Sequence, residues 1–274
     1  MNFWNEIPYK ISPYLIKFNG FGIRYYSLMY VLAFLTFYFL IKYRLKTEHF
    51  PSIEISHIDD FLIWAATGVL LGGRLGYVIF YDFKYYLNNP LTIFLPFTFS
   101  NGFSFTGISG MSYHGGLIGV MAAVYFFCKK NKLDLWKFSD LLCPAVPLGY
   151  TFGRLGNFFN SELYGRGTSQ PWGMFFPSDP THILRHPSQL YEAFFEGIIL
   201  FGILWWIRKS KYLKHRLFGL YITGYGLIRF IIEFFREPDD HLKFVAYSFT
   251  MGQILCLIMI FAGFSILFRN KIKN

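Results

Sequence analysis

Charged residues are scarce in this sequence. Asp, Glu, Lys and Arg make up 15% of its 274 residues, whereas hydrophobic residues make up 54%. A soluble domain carries about a quarter charged residues. The composition therefore excludes an ordinary soluble protein and predicts an integral membrane protein. No internal repeat and no separate soluble domain is apparent, so we expect residues 1–274 to form a single membrane domain.

Cysteines are few as well. Cys128, Cys143 and Cys256 all fall inside or beside apolar segments, and their spacing fits neither a metal site nor a disulfide framework. We predict that they are small buried hydrophobic residues, and we predict no metal and no cofactor. A cleavable signal peptide is not expected either, because Glu6 and Lys10 lie where its apolar core would have to be. We therefore expect the first hydrophobic segment to remain as an anchor.

The apolar residues form seven segments of roughly spanning length. These segments cover residues 20–41, 61–80, 113–127, 138–158, 190–207, 218–235 and 249–268. Pro144 and Pro147 interrupt the fourth segment, and irregular backbone inside a membrane is typical of a protein that lines a cavity. We predict an all-α polytopic membrane protein with about seven transmembrane helices. The polar stretch 161–188 predicts a large extracytoplasmic loop.

The positive charges indicate the orientation. If the N-terminus lies outside, the predicted cytoplasmic segments hold 15 of the 26 Lys and Arg, and the opposite segments hold seven. Cytoplasmic loops carry the excess of Lys and Arg, so the N-terminus is expected outside and the C-terminus in the cytoplasm. Basic runs such as Lys129-Lys130 are better explained by topology or anionic-lipid contacts than by nucleic acid, which we do not expect as a partner.

Four arginines remain within or at the edges of the predicted spans: Arg24, Arg74, Arg154 and Arg229. An arginine at mid-bilayer costs about 2.5–3.5 kcal/mol on insertion scales, so it needs a partner such as a carboxylate or a lipid phosphate. Two interpretations stay open for each arginine. One is phosphate binding, and the other is structural pairing with the intramembrane acids Glu192, Glu196 and Glu233.

The most specific motif lies at residues 153–165, which read GRLGNFFNSELYG. On a helix Arg154, Asn157 and Ser161 would share one face, which would place a cation beside amide donors at the extracytoplasmic boundary. Such a face suits a phosphate. A second motif, at residues 229–239, reads RFIIEFFREPD and puts Glu233 one helical turn from both Arg229 and Arg236. Its alternative is a self-neutralising ion cluster that stabilises the span.

His114 begins the third span on the same side as these motifs, in the run SYHGGL at residues 112–117. Imidazole titrates near neutral pH, so His114 is a candidate general base, although a lone histidine is more often structural. Tyr26 lies near the start of the first span, where interfacial aromatics are common. The run RHPSQLYE at residues 185–192 joins a polar loop to the fifth span. Gln189, Glu192 and Glu196 follow at helical spacing and could line a cavity or form a hinge.

At these motifs the sequence resembles the prolipoprotein diacylglyceryl transferases. Residues 153–165 match the family pattern G-R-x-G-N-F-x-N-x-E-x-x-G. Five other runs also resemble motifs of the family and occur in the family's order: 23–26, 73–77, 114–117, 185–192 and 229–239. The departures are Tyr113 and Ser161, where the family pattern leads us to expect Phe and Gly. We expect them to affect local packing.

This resemblance implies seven transmembrane helices, an extracytoplasmic head domain from residues 159–189 and a location in the bacterial inner membrane. It implies that phosphatidylglycerol donates a diacylglyceryl group to the lipobox cysteine of a preprolipoprotein signal peptide. A thioether forms and glycerol-1-phosphate leaves. The nucleophile then belongs to the substrate, in keeping with the placement of the three cysteines here. Membrane lipids are the other expected partners.

The resemblance and the chemistry together suggest roles for individual residues. Arg154 and Arg229 are expected to bind the phosphate, and His114 to act as base or thiolate stabiliser. The expected substrate-site residues are Tyr26, Asn157, Asn160, Glu162, Gly165, Glu233 and Arg236. Two other classes of function remain: a lipid-translocating transporter, for which we see no inverted repeat, and a noncatalytic scaffold whose arginines are paired for stability alone.

Overall fold

The structure is a computed structural model that describes residues 3–18, 21–93, 95, 97–98, 104–105, 110–237 and 249–269. The last two residues of the 229–239 motif, and parts of the loops counted for topology, lie outside these ranges. The chain divides into a first unit, Met1–Glu48 with Ser139–Asn274, and a second unit, His49–Phe138.

Helices dominate both units. In chain order the α-helices are α1 (Ile7–Lys10), α2 (Tyr25–Thr47), α3 (Ile55–Phe80), α4 (Phe83–Asn88), α5 (Tyr113–Lys130), α6 (Leu135–Leu142), α7 (Val146–Phe159), α8 (Ser188–Tyr191), α9 (Leu200–Ile207), α10 (Leu217–Ile232) and α11 (Met251–Arg269). A π-helix, Glu192–Ile199, joins α8 to α9. Short 3-10 helices cover Phe3–Glu6, Pro90–Ile93, Cys143–Ala145 and Lys211–Leu213.

Among the described residues, four helical segments are long and apolar enough to cross a membrane: Tyr25–Thr47, Ile55–Phe80, Ser188–Ile207 and Met251–Phe268. Leu217–Ile232 is a shorter apolar helix. Helices α5 and α7 occupy the remaining predicted segments. The chain is therefore a mostly helical membrane protein, and the number of seven spans stays a prediction.

In the part of the chain that the structure describes, two antiparallel hairpins accompany the helices. Strand β1 (Tyr14–Phe18) pairs with β2 (Phe21–Arg24), and β3 (Phe97–Thr98) pairs with β4 (Ser104–Phe105). The prediction of an all-α chain omits them, because strands of two to five residues are too short to show a clear alternating pattern. The first hairpin leads directly into α2, and Tyr25 N donates to Pro13 O at 3.0 Å.

In the second unit, α3 packs closely against α5 through small residues. A side chain on Gly119 would collide with the backbone of Gly68, so glycine is required for this approach. At one end of the pair, the rings of Phe61, Phe127 and Phe138 lie 5.1–5.5 Å apart. This aromatic cluster and the glycine contact hold the two helices together.

Arg74 of α3 is buried in the second unit and has a structural environment. Its guanidinium donates to the carbonyls of Ile93 at 2.6 Å, Thr92 at 2.8 Å and Gly110 at 3.2 Å, and it lies over the ring of Tyr86. Backbone carbonyls are one way to satisfy a cation within a membrane protein. The described contacts of Arg74 therefore agree with a structural role rather than with phosphate binding.

In the first unit, α7 packs against α2 and against the π-helix, and α10 packs against α11. Thr151 of α7 donates to Ala193 O of the π-helix at 3.3 Å. At the far end of α2, the buried Arg44 donates to the carbonyls of Asp140 and Leu141 at 2.7 and 2.6 Å. These contacts fix α2 and the π-helix relative to α7, which carries the 153–165 motif.

The loop after α7 packs together with the N-terminal segment. Phe158, Met174 and Phe176 form a buried core against which Ile7 and Ile11 pack. Backbone bonds close the loop on itself, and Asn5 O accepts from Phe175 N at 2.8 Å. The sequence does not predict this contribution of the N-terminal residues, because they carry no recognisable motif and their partners lie far away in the chain, from Phe158 onwards.

Candidate active site

The fully buried carboxylate of Glu192 lies among three arginines. Arg154 Nε lies 2.6 Å from Glu192 Oε2, while Arg229 Nη1 and Arg236 Nη1 lie 3.0 and 3.4 Å from Oε1. The arginines come from α7, from α10 and from the residues just after α10. Segments that are distant in sequence are therefore joined by one ionic centre.

Two further carboxylates complete the cluster around Arg229. Glu233 Oε2 lies 3.0 Å from Arg229 Nη2, at the i,i+4 spacing, and Glu196 Oε1 lies 3.6 Å from Nη1. Thr250 donates to the other oxygen of Glu233 at 3.1 Å. The three arginines thus face three glutamates, as the structural-pairing alternative expects. The negative charges of the glutamates already match the positive charges of the arginines in number, so a phosphate that binds here would add negative charge to a balanced cluster.

The π-helix explains how Glu192 and Glu196 reach the cluster. Both are fully buried, and they occupy its first and fifth positions. π-Helical turns are rare and occur frequently at functional sites. Tyr150 of α7 joins the same centre, because its hydroxyl contacts Glu192 Oε2 at 3.3 Å and accepts from Arg154 Nε at 2.6 Å.

A chain of amides extends from Arg154 towards the loop after α7. Arg154 Nη1 donates to Asn157 Oδ1 at 3.2 Å, and Asn157 Nδ2 donates to Glu162 Oε1 at 2.8 Å. Asn160 Nδ2 lies 3.4 Å from the same oxygen. The structure therefore brings four of the predicted site residues into one hydrogen-bonded row.

A strained turn carries Glu162 back towards this row. The residues on either side of it, Ser161 and Leu163, have φ angles of 57° and 58°. This left-handed region costs a non-glycine residue about 1–2 kcal/mol. Glycine is the residue expected at position 161 from the family pattern, and the backbone conformation gives the physical reason.

Gly165 connects the loop to the arginine cluster. Its amide donates to His186 O at 2.8 Å, and Arg166 N donates to Phe235 O at 2.9 Å. A side chain on Gly165 would collide with Phe235 O. Arg166 Nε also donates to Arg236 O at 2.8 Å. The bonds of Arg166 thus hold the backbone that carries Arg236, and the absence of a side chain on Gly165 permits this close approach.

Tyr26 lies beside the motif from the α2 side. Its hydroxyl is 3.1 Å from that of Tyr30 and within hydrogen-bonding reach of Asn157. The ring packs where Gly156 leaves room on α7. Tyr26 therefore adjoins the same row of polar side chains as Arg154 and Glu162.

The loop itself is held by a buried ion pair. Arg185 donates from Nε and Nη2 to the two oxygens of Asp179 at 2.8 and 3.1 Å, and from Nη1 to Glu237 at 2.9 Å. Burial disfavours the charged carboxylate, but the hydrogen bonds from Arg185 and Thr181 outweigh it and lower the pKa of Asp179 to about 2. These bonds stabilise the loop that follows the 153–165 motif.

His114 belongs to the second unit, where it is the second residue of α5 and has an exposed side chain. The other predicted site residues all belong to the first unit. Among the described residues, no group of His, Cys, Asp and Glu is arranged to bind a metal ion.

Sequence reasoning did not place Tyr150, Glu192 and Glu196 in the site. Glu192 and Glu196 were considered only as structural partners or lining residues. One signal in the sequence could have found the two glutamates. They lie four residues apart inside an apolar segment, and an ionisable residue inside a membrane span is by default a candidate functional residue.

The fold and this site define a helical membrane protein with an ion cluster among its apolar helices. Membrane enzymes and transporters have such clusters at their functional sites. The sequence model of the prolipoprotein diacylglyceryl transferase family matches residues 13–269. The chain belongs to this family, as its motifs predicted, and it is a transferase.

Similar proteins support the same assignment over the whole chain. A protein of Chlorobaculum tepidum is 53% identical, covering 98% of this chain and 93% of its own length. A protein of Campylobacter lari is 46% identical over the full length of both chains, and one of Campylobacter curvus is 43% identical. Each is named phosphatidylglycerol–prolipoprotein diacylglyceryl transferase.

Proposed function

We propose that this protein transfers the diacylglyceryl group of phosphatidylglycerol to the lipobox cysteine of a preprolipoprotein, the first step of lipoprotein maturation. The observation that carries the proposal is the convergence of Arg154, Arg229 and Arg236 on Glu192, in a chain of this family. A donor with a phosphate and an acceptor with a thiol fit a site with three partly buried arginines that glutamates hold in place.

The reaction forms one bond and breaks one bond. The substrate's thiolate attacks a glyceryl carbon of the donor, a sulfur–carbon bond forms, and the carbon–oxygen bond to the phosphate breaks. Glycerol-1-phosphate leaves with the electron pair, and the proton of the thiol is released. Negative charge grows on the phosphate oxygens as the carbon–oxygen bond breaks, so the catalyst must stabilise that charge.

Arg154 and Arg229 are suited to this stabilisation. Arg229 Nη1 is buried and lies 3.0 Å from Glu192 Oε1 and 3.6 Å from Glu196 Oε1. A guanidinium carries five donors, so a phosphate oxygen can be bound without breaking the ion pairs. Glu192 and Glu233 hold the guanidinium groups in place before substrate arrives, which avoids reorganisation during the reaction.

The row of polar side chains beside Arg154 supplies the head-group site in this proposal. Asn157, Asn160 and Glu162 can contact the glycerol hydroxyls of the donor, and Tyr26 closes the row from α2. Gly165 acts through Arg236, because the backbone contacts of the loop reach that residue.

His114 is proposed to assist formation of the attacking thiolate. A free thiol has a pKa near 8.5 and is only partly ionised at neutral pH. The rival proposal is that the field of the arginines alone stabilises the thiolate, with His114 positioning lipid or supporting the start of α5.

In the proposed topology the protein crosses the bacterial inner membrane seven times. Its N-terminus lies outside and its C-terminus lies in the cytoplasm. The four long apolar helices and the distribution of Lys and Arg support it. The loop at 159–189, with the N-terminal segment packed on it, would then form an extracytoplasmic head domain.

Purified full-length protein, phosphatidylglycerol and a synthetic lipobox peptide provide the test. We expect the peptide to gain the mass of one diacylglyceryl group, and the same peptide with serine in place of cysteine to gain none. Equal transfer from phosphatidylethanolamine would contradict the donor assignment, and a folded protein that modifies no peptide would overturn the function.

A further inference from the structure

Two adjoining cavities run along α3 and α5 in the second unit. The larger has a volume of about 320 Å³ and mostly apolar walls, with Ile63, Leu71 and Ala123 beside the single hydroxyl of Thr67. The smaller, about 190 Å³, is lined in part by Asp60, Lys130 and Asn131. Ile63 and Trp64 line both cavities, so the two form one groove, apolar along most of its length and polar at one end.

The close approach of the two helices creates this groove. Gly68 and Gly119 meet without side chains, which leaves a trough between the larger neighbours Ile63 and Leu71. Leu71 lies eight positions after Ile63, which corresponds to about 12 Å along a helix. The hydrocarbon core of a bilayer is about 30 Å thick, so the trough is long enough to follow an acyl chain through most of one leaflet.

The polar end of the groove carries a cation suited to a phosphate. Lys130 Nζ lies 5.5 Å from the centre of the Trp64 ring, and its side chain is exposed. Lys129 precedes it, in a basic segment predicted to face the cytoplasm. The Asp60 carboxylate accepts hydrogen bonds, as the hydroxyls of a polyol head group require. Asn131 Nδ2 donates one hydrogen to Phe127 O at 3.0 Å, which leaves its second hydrogen and its Oδ1 for a head-group hydroxyl.

We propose that the groove binds an anionic phospholipid of the cytoplasmic leaflet. One acyl chain lies along Ile63, Thr67 and Leu71, the phosphate contacts Lys130, and the hydroxyls of a glycerol head group contact Asp60 and Asn131. Every residue of this lipid site belongs to the second unit, whereas the arginine cluster belongs to the first. The proposal is independent of the transfer reaction.

The acyl-chain part is tested by photolabelling. The full chain is placed in phosphatidylcholine nanodiscs with a trace of phosphatidylglycerol that carries a photoreactive diazirine on an acyl chain, and labelled residues are mapped by mass spectrometry. We expect labelling of Ile63, Thr67 and Leu71 at least about fivefold above that of Leu70, which is exposed on the same helix outside the groove.

Thr67→Phe fills the groove and should remove the preference, whereas the matched variant Leu70→Phe should leave it. Uniform labelling of α3 would overturn the proposal.

The head-group part is tested by two variants with the same change of charge. Lys130→Gln should lower labelling by the phosphatidylglycerol probe about fivefold, equivalent to about 1 kcal/mol, because one lysine–phosphate contact is lost. Lys129→Gln should change it little, since Lys129 does not line the groove. Equal labelling by phosphatidylcholine and phosphatidylglycerol probes, or equal effects of the two lysine variants, would refute an anionic-lipid site. This comparison decides the matter even if Thr67→Phe does not fold.

Discussion

Arg154 forms a 2.6 Å ion pair with Glu192, although both lie within helices that are predicted to span the membrane. The pair satisfies a cation that would otherwise be costly inside a bilayer. Tyr150 and Asn157 contact the same guanidinium group, so together with Glu192 they fix it in one orientation. Structural pairing and phosphate binding are therefore compatible interpretations of this arginine.

The first prediction concerns Glu192 as a positioning residue. Glu192→Gln removes the charge shared by three arginines, so we expect a loss of stability of about 3–5 kcal/mol and a loss of transfer. Glu192→Asp keeps the charge and should restore part of both. Thermal unfolding and steady-state kinetics measure the effects, and a raised KM for phosphatidylglycerol in the Asp variant would show that arginine positions matter. Normal transfer by Glu192→Gln would contradict the role.

The second prediction is that Arg154→Ala and Arg229→Ala each lower transfer at least about 10²-fold, the typical effect of removing one donor to a developing negative charge. Lysine should rescue poorly, since it lacks the planar arrangement of donors. Lys209→Ala, which removes an exposed cation in a loop, is the control for expression and charge. A folded Arg154→Ala protein with near-normal turnover would rule out the phosphate site.

The third prediction separates packing from substrate contact at Gly165. Gly165→Ala should lower stability by about 1–3 kcal/mol and impair transfer, because a methyl group would force Phe235 and the adjoining Arg236 to shift. Gly153→Ala lies in the same motif, but its added methyl group would have no neighbour within 4 Å. It should leave transfer almost unchanged. Equal effects of the two variants would contradict this explanation of Gly165.

Much of this architecture could be predicted from the sequence. Helices occupy the apolar segments, and the 153–165 motif indicates the family, because long hydrophobic runs and a contiguous motif are local signals. The sequence offered Glu192 as a possible partner of an intramembrane arginine, but not as the carboxylate that Arg154, Arg229 and Arg236 share, since these arginines lie 38 residues before it and 37 and 44 residues after it in the chain. A π-helix also shifts the helical register, so spacing arguments made for an α-helix do not apply to Glu192 and Glu196.

Spacing misleads in one more place. On a continuous helix Ser161 would share a face with Arg154, but α7 ends at Phe159 and Ser161 adopts a left-handed conformation. The residue that returns to the site is Glu162. Only the backbone geometry after the helix shows this, because no sequence pattern specifies how the turn directs the next side chain.

The fourth prediction follows from that turn. Ser161→Gly should stabilise the protein by about 0.5–1 kcal/mol, because relief of about 1–2 kcal/mol of left-handed strain exceeds the entropy cost of glycine. Ser56→Gly, in the helical conformation of α3, should be destabilising instead. Thermal unfolding in one lipid composition measures both. A lower unfolding temperature for Ser161→Gly would mean that the Ser161 side chain contributes more than its backbone costs.

The last prediction concerns His114, which is exposed at the start of α5. If His114 assists thiolate formation, His114→Gln should slow transfer at neutral pH by about 10²–10⁴-fold, the usual contribution of a general base. The peptide thiol ionises unaided as the pH rises past about 8.5, so the defect should shrink there. Transfer rates of wild type and variant across a pH series, at matched protein levels, measure the ratio. A ratio that stays constant across pH would mean that His114 positions substrate or supports the helix, and that the arginines alone stabilise the thiolate.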